Sequence, residues 1–353
     1  MEIEKSEMIK RFSLLERAIP GKATIPCTEG ILVKDGRMCT NDLQNAISIL
    51  APEADGECFI IPKKAIAMVK SLPSGPIQIL PQSDGTLTIK AGTIRTKIKT
   101  FPMDDFPESF TIEASSEETV DFSDLTGMLA NVAYATSANE ARPIHTGVLL
   151  DGDGTNLNVV ACDGFRCAWA HTMHSGTFKM VIPKPTVKLL LSIKQDGPLN
   201  ISTKGEKAIF EIGDCKIYSR LLSGDFLDYR KVFPSRQRSI GIDRGKLLDA
   251  MSRILICSDD AHKGRVEMDG SDTILQLKCN SSSADYIEQL EVQDRFLSDM
   301  RIMFNAAYVV DALKSYDGPV IDCYFGAKSS EPLILDDGAM KALLLPVRIA
   351  DGK

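Results

Sequence analysis

A weak internal repeat constrains the fold of this chain more than any other feature of its sequence. Gly-Pro pairs begin at Gly75, Gly197 and Gly318, so the dipeptide recurs after 122 and then 121 residues. A period of this length is that of a whole domain and exceeds the repeat of a solenoid. The sequence therefore predicts one domain present three times.

Shared motifs and polar stretches place the boundaries of the three copies. An Ile-Pro-Lys sequence precedes the Gly-Pro pair at 61–63 and at 182–184, whereas the third and faintest copy has Phe304-Asn305 at this place. The predicted domains are residues 1–118, 119–239 and 240–353.

Each copy shows the same order of helical and strand patterns. Apolar residues spaced by three and four, such as Leu247, Met251 and Ile254, predict a helix at its start. Short β-rich segments separated by turn residues predict strands joined by hairpins, and a second helix lies among them. The fold class is therefore α+β. Turns are predicted at Asp35-Gly36, at 151–154 and at Asp269-Gly270.

Positive charge is concentrated in the six predicted helices. They carry +7 in total although the whole chain carries −7, so the remaining residues carry −14. One interpretation is a set of ordinary solvated helix faces, because lysine favours helices. The other is a shared face turned toward a polyanion, where Lys and Arg contact phosphates without reading bases. The helices are predicted at residues 5–19, 63–72, 123–138, 184–194, 243–257 and 305–317.

The composition is that of a globular protein. Of the 353 residues, 25% are charged and 44% hydrophobic. No apolar run approaches the ~18 residues of a membrane helix, and residues 1–5 lack the basic and apolar regions of a secretory signal. The nine cysteines are scattered without a CxxC pair, which indicates reduced thiols in the cytoplasm.

Five segments, in order along the chain, resemble the bacterial DNA sliding clamp family, the beta subunit of DNA polymerase III. The first domain matches least well. The segments are Pro143-Ile-His-Thr-Gly-Val-Leu-Leu150, Val160-Ala-Cys-Asp-Gly-Phe-Arg166, Leu221-Leu-Ser-Gly-Asp-Phe-Leu-Asp-Tyr-Arg-Lys-Val232, Phe304-Asn-Ala-Ala-Tyr-Val-Val-Asp-Ala-Leu313 and Leu345-Pro-Val-Arg-Ile349.

The resemblance implies a head-to-tail homodimeric ring that takes part in DNA replication. Three clamp domains per chain would place antiparallel sheets outside and helices around a central hole. Such a ring encircles double-stranded DNA and slides without sequence specificity as a processivity factor. It has no catalytic residues, cofactor or metal of its own, and it does not bind membranes.

The resemblance also implies a hydrophobic cleft on the second and third domains. The cleft would bind short linear motifs of the polymerase III catalytic subunit, the clamp loader and repair polymerases. Leu227 replaces the family's usual proline, Lys231 a usual arginine and His262 a frequent aromatic residue, which leaves the preferred motif open. The implied cleft residues are Cys162, Gly164, Phe165, Arg166, Cys167, Leu227, Lys231, Val232, His262, Asn305, Tyr308, Leu343, Leu345, Pro346, Val347 and Arg348.

The resemblance also implies a dimer interface, predicted at Phe106, Ile256 and Cys257. A further set follows from the charge pattern and the resemblance together. The DNA-facing residues are predicted to be Lys10, Arg11, Lys22, Lys63, Lys64, Lys70, Lys184, Lys188, Lys194, Arg244, Lys246 and Arg253. Residues 350–353 extend past the family's usual end.

Other interpretations of single motifs are weaker. His171 and His174 could form a metal pair, but partner ligands are not evident. Cys162 and Cys167 lack a positioned base for nucleophilic or redox chemistry. The acidic residues of 151–154 suggest a hairpin turn rather than an incomplete calcium loop.

Two alternative functions stay open at the level of sequence. A hydrolase or transferase built on repeated domains would need a catalytic constellation, and neither a phosphate-binding loop nor a dinucleotide motif occurs. A clamp paralogue from a phage or plasmid would keep the ring and change its partners, as the departures at Leu227, Lys231 and His262 suggest.

Overall fold

The computed structural model describes residues 1–107, 112–233, 239–259, 264–296, 300–326 and 328–347. Each repeat consists of one strand, a helix, four strands, a second helix and three strands. The first repeat contains β1 (Glu2–Glu4), α1 (Lys5–Leu15), β2 (Gly30–Lys34), β3 (Arg37–Asn41), β4 (Asn45–Leu50), β5 (Cys58–Pro62), α2 (Lys63–Ser71), β6 (Pro76–Pro81), β7 (Thr86–Ala91) and β8 (Ile94–Lys99).

The second repeat has the same element order. It contains β9 (Ser116–Asp121), α3 (Phe122–Val132), β10 (Gly147–Asp153), β11 (Asn156–Cys162), β12 (Arg166–Met173), β13 (Thr177–Pro183), α4 (Lys184–Leu190), β14 (Pro198–Lys204), β15 (Lys207–Ile212) and β16 (Cys215–Arg220). A short helix that the sequence patterns did not predict follows it, α5 (Tyr229–Val232).

The third repeat completes the described chain. It contains β17 (Ile240–Asp243), α6 (Arg244–Cys257), β18 (Arg265–Ser271), β19 (Ile274–Asn280), β20 (Asp285–Glu291), β21 (Met300–Asn305), α7 (Ala306–Leu313), β22 (Val320–Tyr324), β23 (Leu333–Asp336) and β24 (Met340–Leu344).

The Gly-Pro pairs tie the start of each repeat to its last strands. Gly75 and Gly197 have φ values of +121° and +119°, a region that favours glycine. Their carbonyl groups accept hydrogen bonds of 3.0 Å from the first amide of α1 and of α3. In the third repeat the Arg244 amide donates to the Pro319 carbonyl at 2.9 Å. The motif therefore recurs because it fixes the same strand-to-helix corner.

Antiparallel pairing joins the strands into four sheets. Two four-stranded sheets have the orders β1-β6-β7-β8 and β20-β19-β18-β21. Two eight-stranded sheets have the orders β5-β2-β3-β4-β16-β15-β14-β9 and β13-β10-β11-β12-β24-β23-β22-β17. Each larger sheet is continuous across two repeats. Ile47 lies opposite Ile217 where β4 meets β16, and Ala168 lies opposite Ala342 where β12 meets β24.

The described chain divides into two compact units. The first comprises Met1–Thr126 and Ile182–Leu222, and the second Gly127–Val181 and Ser223–Lys353. The strands β4 and β16 both belong to the first unit, and β12 and β24 to the second. The division therefore follows the shared sheets, because the strands of each eight-stranded sheet lie almost entirely within one unit. The three sequence domains stay a prediction of the repeat.

The helices bury the apolar faces predicted from their periodicity. Met8, Phe12 and Leu15 of α1 are fully buried, and Leu247 and Met251 of α6 are buried in the same way. Burial of such side chains stabilises a fold by roughly 1.5–3 kcal/mol each. Four helices end at least four residues earlier than predicted, since α1, α3, α4 and α7 stop at Leu15, Val132, Leu190 and Leu313, whereas α6 ends at Cys257 as predicted.

Two of the predicted turns are displaced. Asp269-Gly270 lies inside β18, and the turn follows at Asp272, whose φ is +52°. Gly270 is required inside the strand because a Cβ there would lie 2.5 Å from the ring of Phe296. In the second repeat Gly152 also lies inside its strand, and a Cβ would lie 2.8 Å from the Phe178 ring. The turn at Asp35-Gly36 is confirmed by φ values of +50° and +66°.

None of the described helices is long and apolar enough to cross a membrane.

Candidate functional site

The turn between β11 and β12 presents an aromatic side chain to solvent. The Asp163 carboxylate accepts hydrogen bonds from the amides of Phe165 at 2.8 Å and Arg166 at 3.0 Å. Gly164 adopts a φ of +93°, which a side chain would strain. Phe165 is consequently 62% exposed at the tip of the turn.

Arg166 holds this turn against the third repeat. Its side chain is only 12% exposed and donates to Asp163 at 3.0 Å and to Asp311 at 2.7 Å. The guanidinium carbon lies 4.4 Å from the centre of the Tyr308 ring and 5.3 Å from that of Tyr134. Burial lowers the pKa of Arg166, but the hydrogen bonds to Asp311 and Asp163 outweigh it and raise the pKa overall. The side chain therefore stays positively charged and is held in one position beside the turn.

The segment after β24 forms the apolar side of the site. The Leu345 amide donates to the Phe165 carbonyl at 2.9 Å, and the Val347 amide donates to the Met303 carbonyl at 2.7 Å. Leu345 is exposed, while Pro346 and Val347 are half-buried. This run of apolar residues lies beside Phe165 and is accessible to a ligand.

The α7 helix contributes the next wall. Asn305 caps it by accepting a hydrogen bond of 2.9 Å from the Ala307 amide. This cap orients the first turn, where Tyr308 is half-buried under Arg166. The third repeat thus uses its Phe-Asn departure from Ile-Pro-Lys to begin this helix with a side-chain cap.

The segment around α5 is fastened to the second repeat by polar contacts. The Tyr229 hydroxyl donates to Asp151 at 2.8 Å, and Arg230 donates to Asp151 at 3.0 Å and to Asp153 at 2.8 Å. The Tyr229 ring also packs edge-on against Trp169 at 5.0 Å. The predicted hairpin acids therefore anchor this segment. Sequence reasoning missed this role, although the Asp-Tyr-Arg sequence was within the matched motif.

The outer members of this segment are accessible. Leu227 is exposed and Val232 half-buried. The Lys231 side chain is 84% exposed and pairs with Asp228 at 2.8 Å. These residues can meet a ligand but are held less tightly than Arg166.

Three predicted cleft residues are buried beneath the surface of the site. Cys162, Cys167 and Leu343 are buried, so their side chains do not line an open surface. The two thiols are opposite each other on β11 and β12 and are hydrogen-bonded. This contact and burial raise the pKa of Cys167 well above its usual value. His262 and Arg348 lie outside the described residues.

The predicted DNA-facing residues fall into two groups. Nine are exposed, namely Lys10, Lys22, Lys63, Lys64, Lys70, Lys188, Lys194, Lys246 and Arg253, and three are half-buried, namely Arg11, Lys184 and Arg244. In the first unit, Lys10 of α1 and Lys194 after α4 line one cavity of about 650 Å³ together with Arg17, Glu7 and Asp214.

Two arginines of that set are occupied within the fold. Arg11 forms an ion pair with Glu53. Arg244 donates to the carbonyl groups of Gly318 and Leu313. These two guanidinium groups stabilise helix positions and are poorly placed for phosphates.

Arg253 is exposed but engaged. It donates to both carboxylate oxygens of Glu288, at 2.7 and 2.9 Å, and to the Tyr286 hydroxyl at 3.0 Å. Its predicted role in DNA contact would require this fork to open.

The predicted interface residues differ in accessibility. Phe106 is only 4% exposed and packs against Cys27, Leu32 and Ile60 in the core of the first repeat. Its side chain therefore supports the surface instead of offering a contact. Ile256, at the end of α6, is 83% exposed and Cys257 is half-buried.

Two histidines and several carboxylates do not form a metal centre in the described residues. No cluster of three or more His, Cys, Asp or Glu side chains that could hold a metal ion occurs among them. The Asp151 and Asp153 carboxylates are occupied by Tyr229 and Arg230.

Comparisons with known proteins cover nearly the whole chain. Models of the N-terminal, central and C-terminal domains of the DNA polymerase III beta subunit match residues 1–111, 119–228 and 230–348. A beta sliding clamp of Vibrio cholerae is 25% identical over 98% of this chain and 99% of that protein. The Caulobacter vibrioides clamp is 25% identical over 99% of this chain and all of that protein.

Solved structures show the same fold. The DNA polymerase sliding clamp of Bacillus subtilis superposes with a TM-score of 0.91 at 21% identity, covering 99% of this chain and 98% of that one. That of Pseudomonas aeruginosa gives 0.89 at 22% identity, with 99% of both chains covered. With the three domain models in their order along the sequence, the chain belongs to the DNA polymerase III beta subunit family, the non-catalytic sliding clamps of DNA replication.

Proposed function

We propose that two copies of this chain close head to tail into a cytoplasmic ring around duplex DNA. The ring slides on DNA as a processivity factor and tethers the replicative polymerase, the clamp loader and repair polymerases. The observation that carries the proposal is the set of strand edges at the two ends of the repeat array.

The chain already contains two junctions of one kind. Each eight-stranded sheet consists of four strands from one repeat and four from another. The two sets of four meet at their terminal strands, where β4 pairs with β16 and β12 pairs with β24. β20 and β8 occupy the same places in their repeats and are the outer strands of the two small sheets. Within the described residues neither has a second neighbour. A third and identical junction therefore requires a second copy.

The internal junctions also supply a register. Ala46 faces Tyr218 at the first junction, and Cys167 faces Leu343 at the second. The matching hairpin positions in β20 and β8 are Asp285 and Lys97. We therefore expect Asp285 of one copy opposite Lys97 of the other, with Ile287 opposite Arg95.

The charges of the two free strands suit this pairing. The β8 strand carries Arg95, Lys97 and Lys99, whereas β20 carries Asp285, Glu288 and Glu291. In the expected register only Asp285 and Lys97 of these six residues lie directly opposite each other, and such a pair contributes roughly 0.2–1 kcal/mol. The exposed Ile256 adds apolar surface near the end of α6.

Weak contacts are sufficient for the grip on DNA. A closed ring is linked topologically to its duplex, so lysines that contact phosphates can exchange freely while the ring slides. Exposed lysines at the starts and ends of α2 and α4, among them Lys63, Lys64 and Lys188, can supply such contacts. The acidic remainder of the chain repels DNA from other surfaces.

The site around Phe165, Arg166, Tyr308 and Leu345 suits a short linear peptide. Apolar walls with a few polar anchors are typical of such clefts. A paralogue with altered partners is not favoured, since the relatives named above are themselves beta sliding clamps.

A charge exchange tests the ring. Lys97→Asp and Asp285→Lys should each weaken the dimer of 38.6 kDa chains in sedimentation experiments, and the double variant should recover it. Lys328→Asp, a charge change on an exposed turn outside both strands, should have no effect. A monomer at all concentrations, or equal behaviour of all variants, would contradict the proposed closure.

Topological linkage has a separate test. Clamps loaded on nicked circular DNA by a cognate loader should be retained at salt concentrations that remove bound proteins, and should be released when the circle is linearised. Release before linearisation would argue against a ring around DNA.

A further inference from the structure

We propose that the first unit carries a second peptide-docking site, at the β4–β16 junction, for a short acidic segment with leucine-type side chains. The inference rests on the proposed function in one respect, since it takes the β12–β24 junction as a peptide cleft. The two places are related by the repeat, but their side chains differ.

The backbone of the two junctions is the same. The Arg220 amide donates to the Gln44 carbonyl at 3.0 Å, as the Leu345 amide donates to the Phe165 carbonyl at 2.9 Å. Each bond joins the end of a β16-type strand to the tip of a turn. The ends of both junctions are therefore built to the same plan.

A buried hydrogen-bond chain makes this junction rigid. The Thr186 hydroxyl bonds to Asn45 at 2.6 Å and to the Ser219 hydroxyl at 2.6 Å, and all three side chains are buried. Asn45 takes the place that Arg166 has in the other junction. A rigid site loses less conformational entropy when a ligand binds, so it binds more tightly.

A cavity of about 460 Å³ opens beside this turn. Its size suits a few side chains of a ligand. Its apolar lining includes Leu43, Pro107 and Tyr218.

Leu43 is held at the mouth of the cavity in an unfavourable conformation. It has a φ of +74° and is 48% exposed. The turn is fixed by hydrogen bonds from the Leu43 amide to Asn41 at 2.7 Å and from the Gln44 amide to Asp42 at 2.9 Å. The counterpart in the other junction is Gly164, which adopts this conformation freely.

Strained residues of this kind are concentrated at ligand sites. A leucine is not needed to form the turn, and its side chain is not buried. We infer that Leu43, together with Pro107 and Tyr218, provides apolar contact for a bound segment.

The charge of the lining selects an acidic ligand. The charged lining residues are Lys204, Lys207, Arg220 and Glu206. Their net charge is +2, although the whole chain carries −7. Lys204 pairs with Glu113 at 3.1 Å and Arg220 with Glu206 at 3.4 Å. Exposed pairs of this kind are weak, so a ligand carboxylate can replace them.

A peptide fits these features better than nucleic acid. Phosphate backbones need positive charge but do not use the apolar contacts of Leu43, Pro107 and Tyr218. The segment Glu-Glu-Leu-Asp-Leu-Phe combines both requirements and serves as the probe.

Titration of the labelled hexapeptide into the full chain tests the proposal by fluorescence anisotropy. We expect two sites per chain, of which Tyr308→Ala removes one. Leu43→Gly combined with Lys207→Glu should weaken the other at least tenfold. Leu43→Gly alone should not lower the melting temperature, because glycine relieves the strained turn. Lys328→Glu, on an exposed turn outside both sites, is the matched charge control and should leave both unchanged.

The outcomes separate this site from the proposed cleft. If Tyr308→Ala abolishes all peptide binding, the second site is overturned and the proposal of the cleft stands. If both sites persist in Tyr308→Ala, the result counts against the cleft alone. Equal binding of the Leu43→Gly/Lys207→Glu variant and the control overturns the second site. The second site is also overturned if a single-stranded hexanucleotide binds there as tightly as the hexapeptide, because the cavity would then be a nucleic-acid surface. No binding up to about 1 mM peptide contradicts both sites, and the DNA linkage experiment then judges the ring separately.

Discussion

Arg166 is the residue on which the proposed peptide cleft depends, because it connects elements of two repeats. Its fork joins Asp163 in the turn to Asp311 in α7, and its flat face covers Tyr308. A lysine could not reproduce both the planar stacking and the two directed hydrogen bonds.

We expect Arg166→Ala to reduce stability by about 2 kcal/mol and peptide affinity at least tenfold. The substitution leaves the Asp163 carboxylate in a poorly solvated place without its cation. Thermal melting and peptide titration measure the two effects. Lys231→Ala, which removes an exposed cation of the same cleft, should change stability by less than about 0.5 kcal/mol. Equal losses in both variants would disprove the central role of Arg166.

Asp153 gives the fold a predictable response to acid. Hydrogen bonds from the Asn156 amide, then from Thr155, Asn158 and Arg230, lower its pKa to about 2 despite the opposing effect of burial. Its unfolded value is about 3.9. Because the folded pKa is the lower one, the ionised carboxylate stabilises the fold above about pH 4, and this contribution is lost as the pH falls toward 2.

In urea titrations between pH 5 and pH 2.5, we expect Asp153→Asn to flatten part of the decline in stability. Asp225→Asn, on an exposed carboxylate, controls for the change in net charge. An unchanged pH profile in Asp153→Asn would show that other groups govern acid unfolding.

At the scale of elements, the strand glycines show how the second and third repeats reuse one packing solution. Gly152 and Gly270 each leave room for an aromatic ring, from Phe178 and Phe296. Both pairs are separated by the same number of residues along the chain. The glycine is thus part of the core and not of the turn.

Gly270→Ala should destabilise the chain by about 1–3 kcal/mol, because the added methyl group overlaps the Phe296 ring. Gly127→Ala is the matched control. It lies within α3, where an added Cβ would have no neighbour within 4 Å among the described residues, apart from the adjacent residues and the backbone of the helix itself, and the change should stabilise the chain by about 0.5–1 kcal/mol. Denaturant midpoints measure both. A neutral Gly270→Ala would mean that the ring moves aside without cost.

The sequence predicts those elements whose signal is local. The stripe of Met8, Phe12 and Leu15 is enough to locate α1, and the motif around Phe165 and Arg166 is enough to locate the turn between β11 and β12. The residues that form such a signal are close together in the sequence, so a short segment contains all of them.

The missed features depend on contacts between distant segments. Nothing near Asp269-Gly270 reveals that a ring from Phe296 occupies the place of a Cβ. The burial of Phe106 and the engagement of Arg253 by Glu288 are likewise set by partners on other elements. Residue type and motif alone do not specify exposure.

For the whole molecule, the distribution of charge predicts how the proposed ring would hold DNA. Replacing Lys188 and Lys194 with Gln should lower retention on circular DNA. It should also reduce the slope of log affinity against log salt by about 0.9 for each phosphate that the variant no longer neutralises. The pair Lys179 and Lys328, exposed outside the helices, serves as the control. An unchanged slope would place Lys188 and Lys194 on an outer surface.

The opposite charges of β8 and β20 also restrict which assemblies can form. Two β8 strands brought together would oppose cations to cations, and two β20 strands would oppose anions to anions. Like charges across a strand pair are destabilising, and charged edges discourage uncontrolled sheet extension. Unlike ends are therefore favoured as partners, which would give every subunit of the proposed ring the same rotational sense. Another clamp chain in the same cell would be disfavoured as a partner wherever its edge strand carried the same charge as the strand it met.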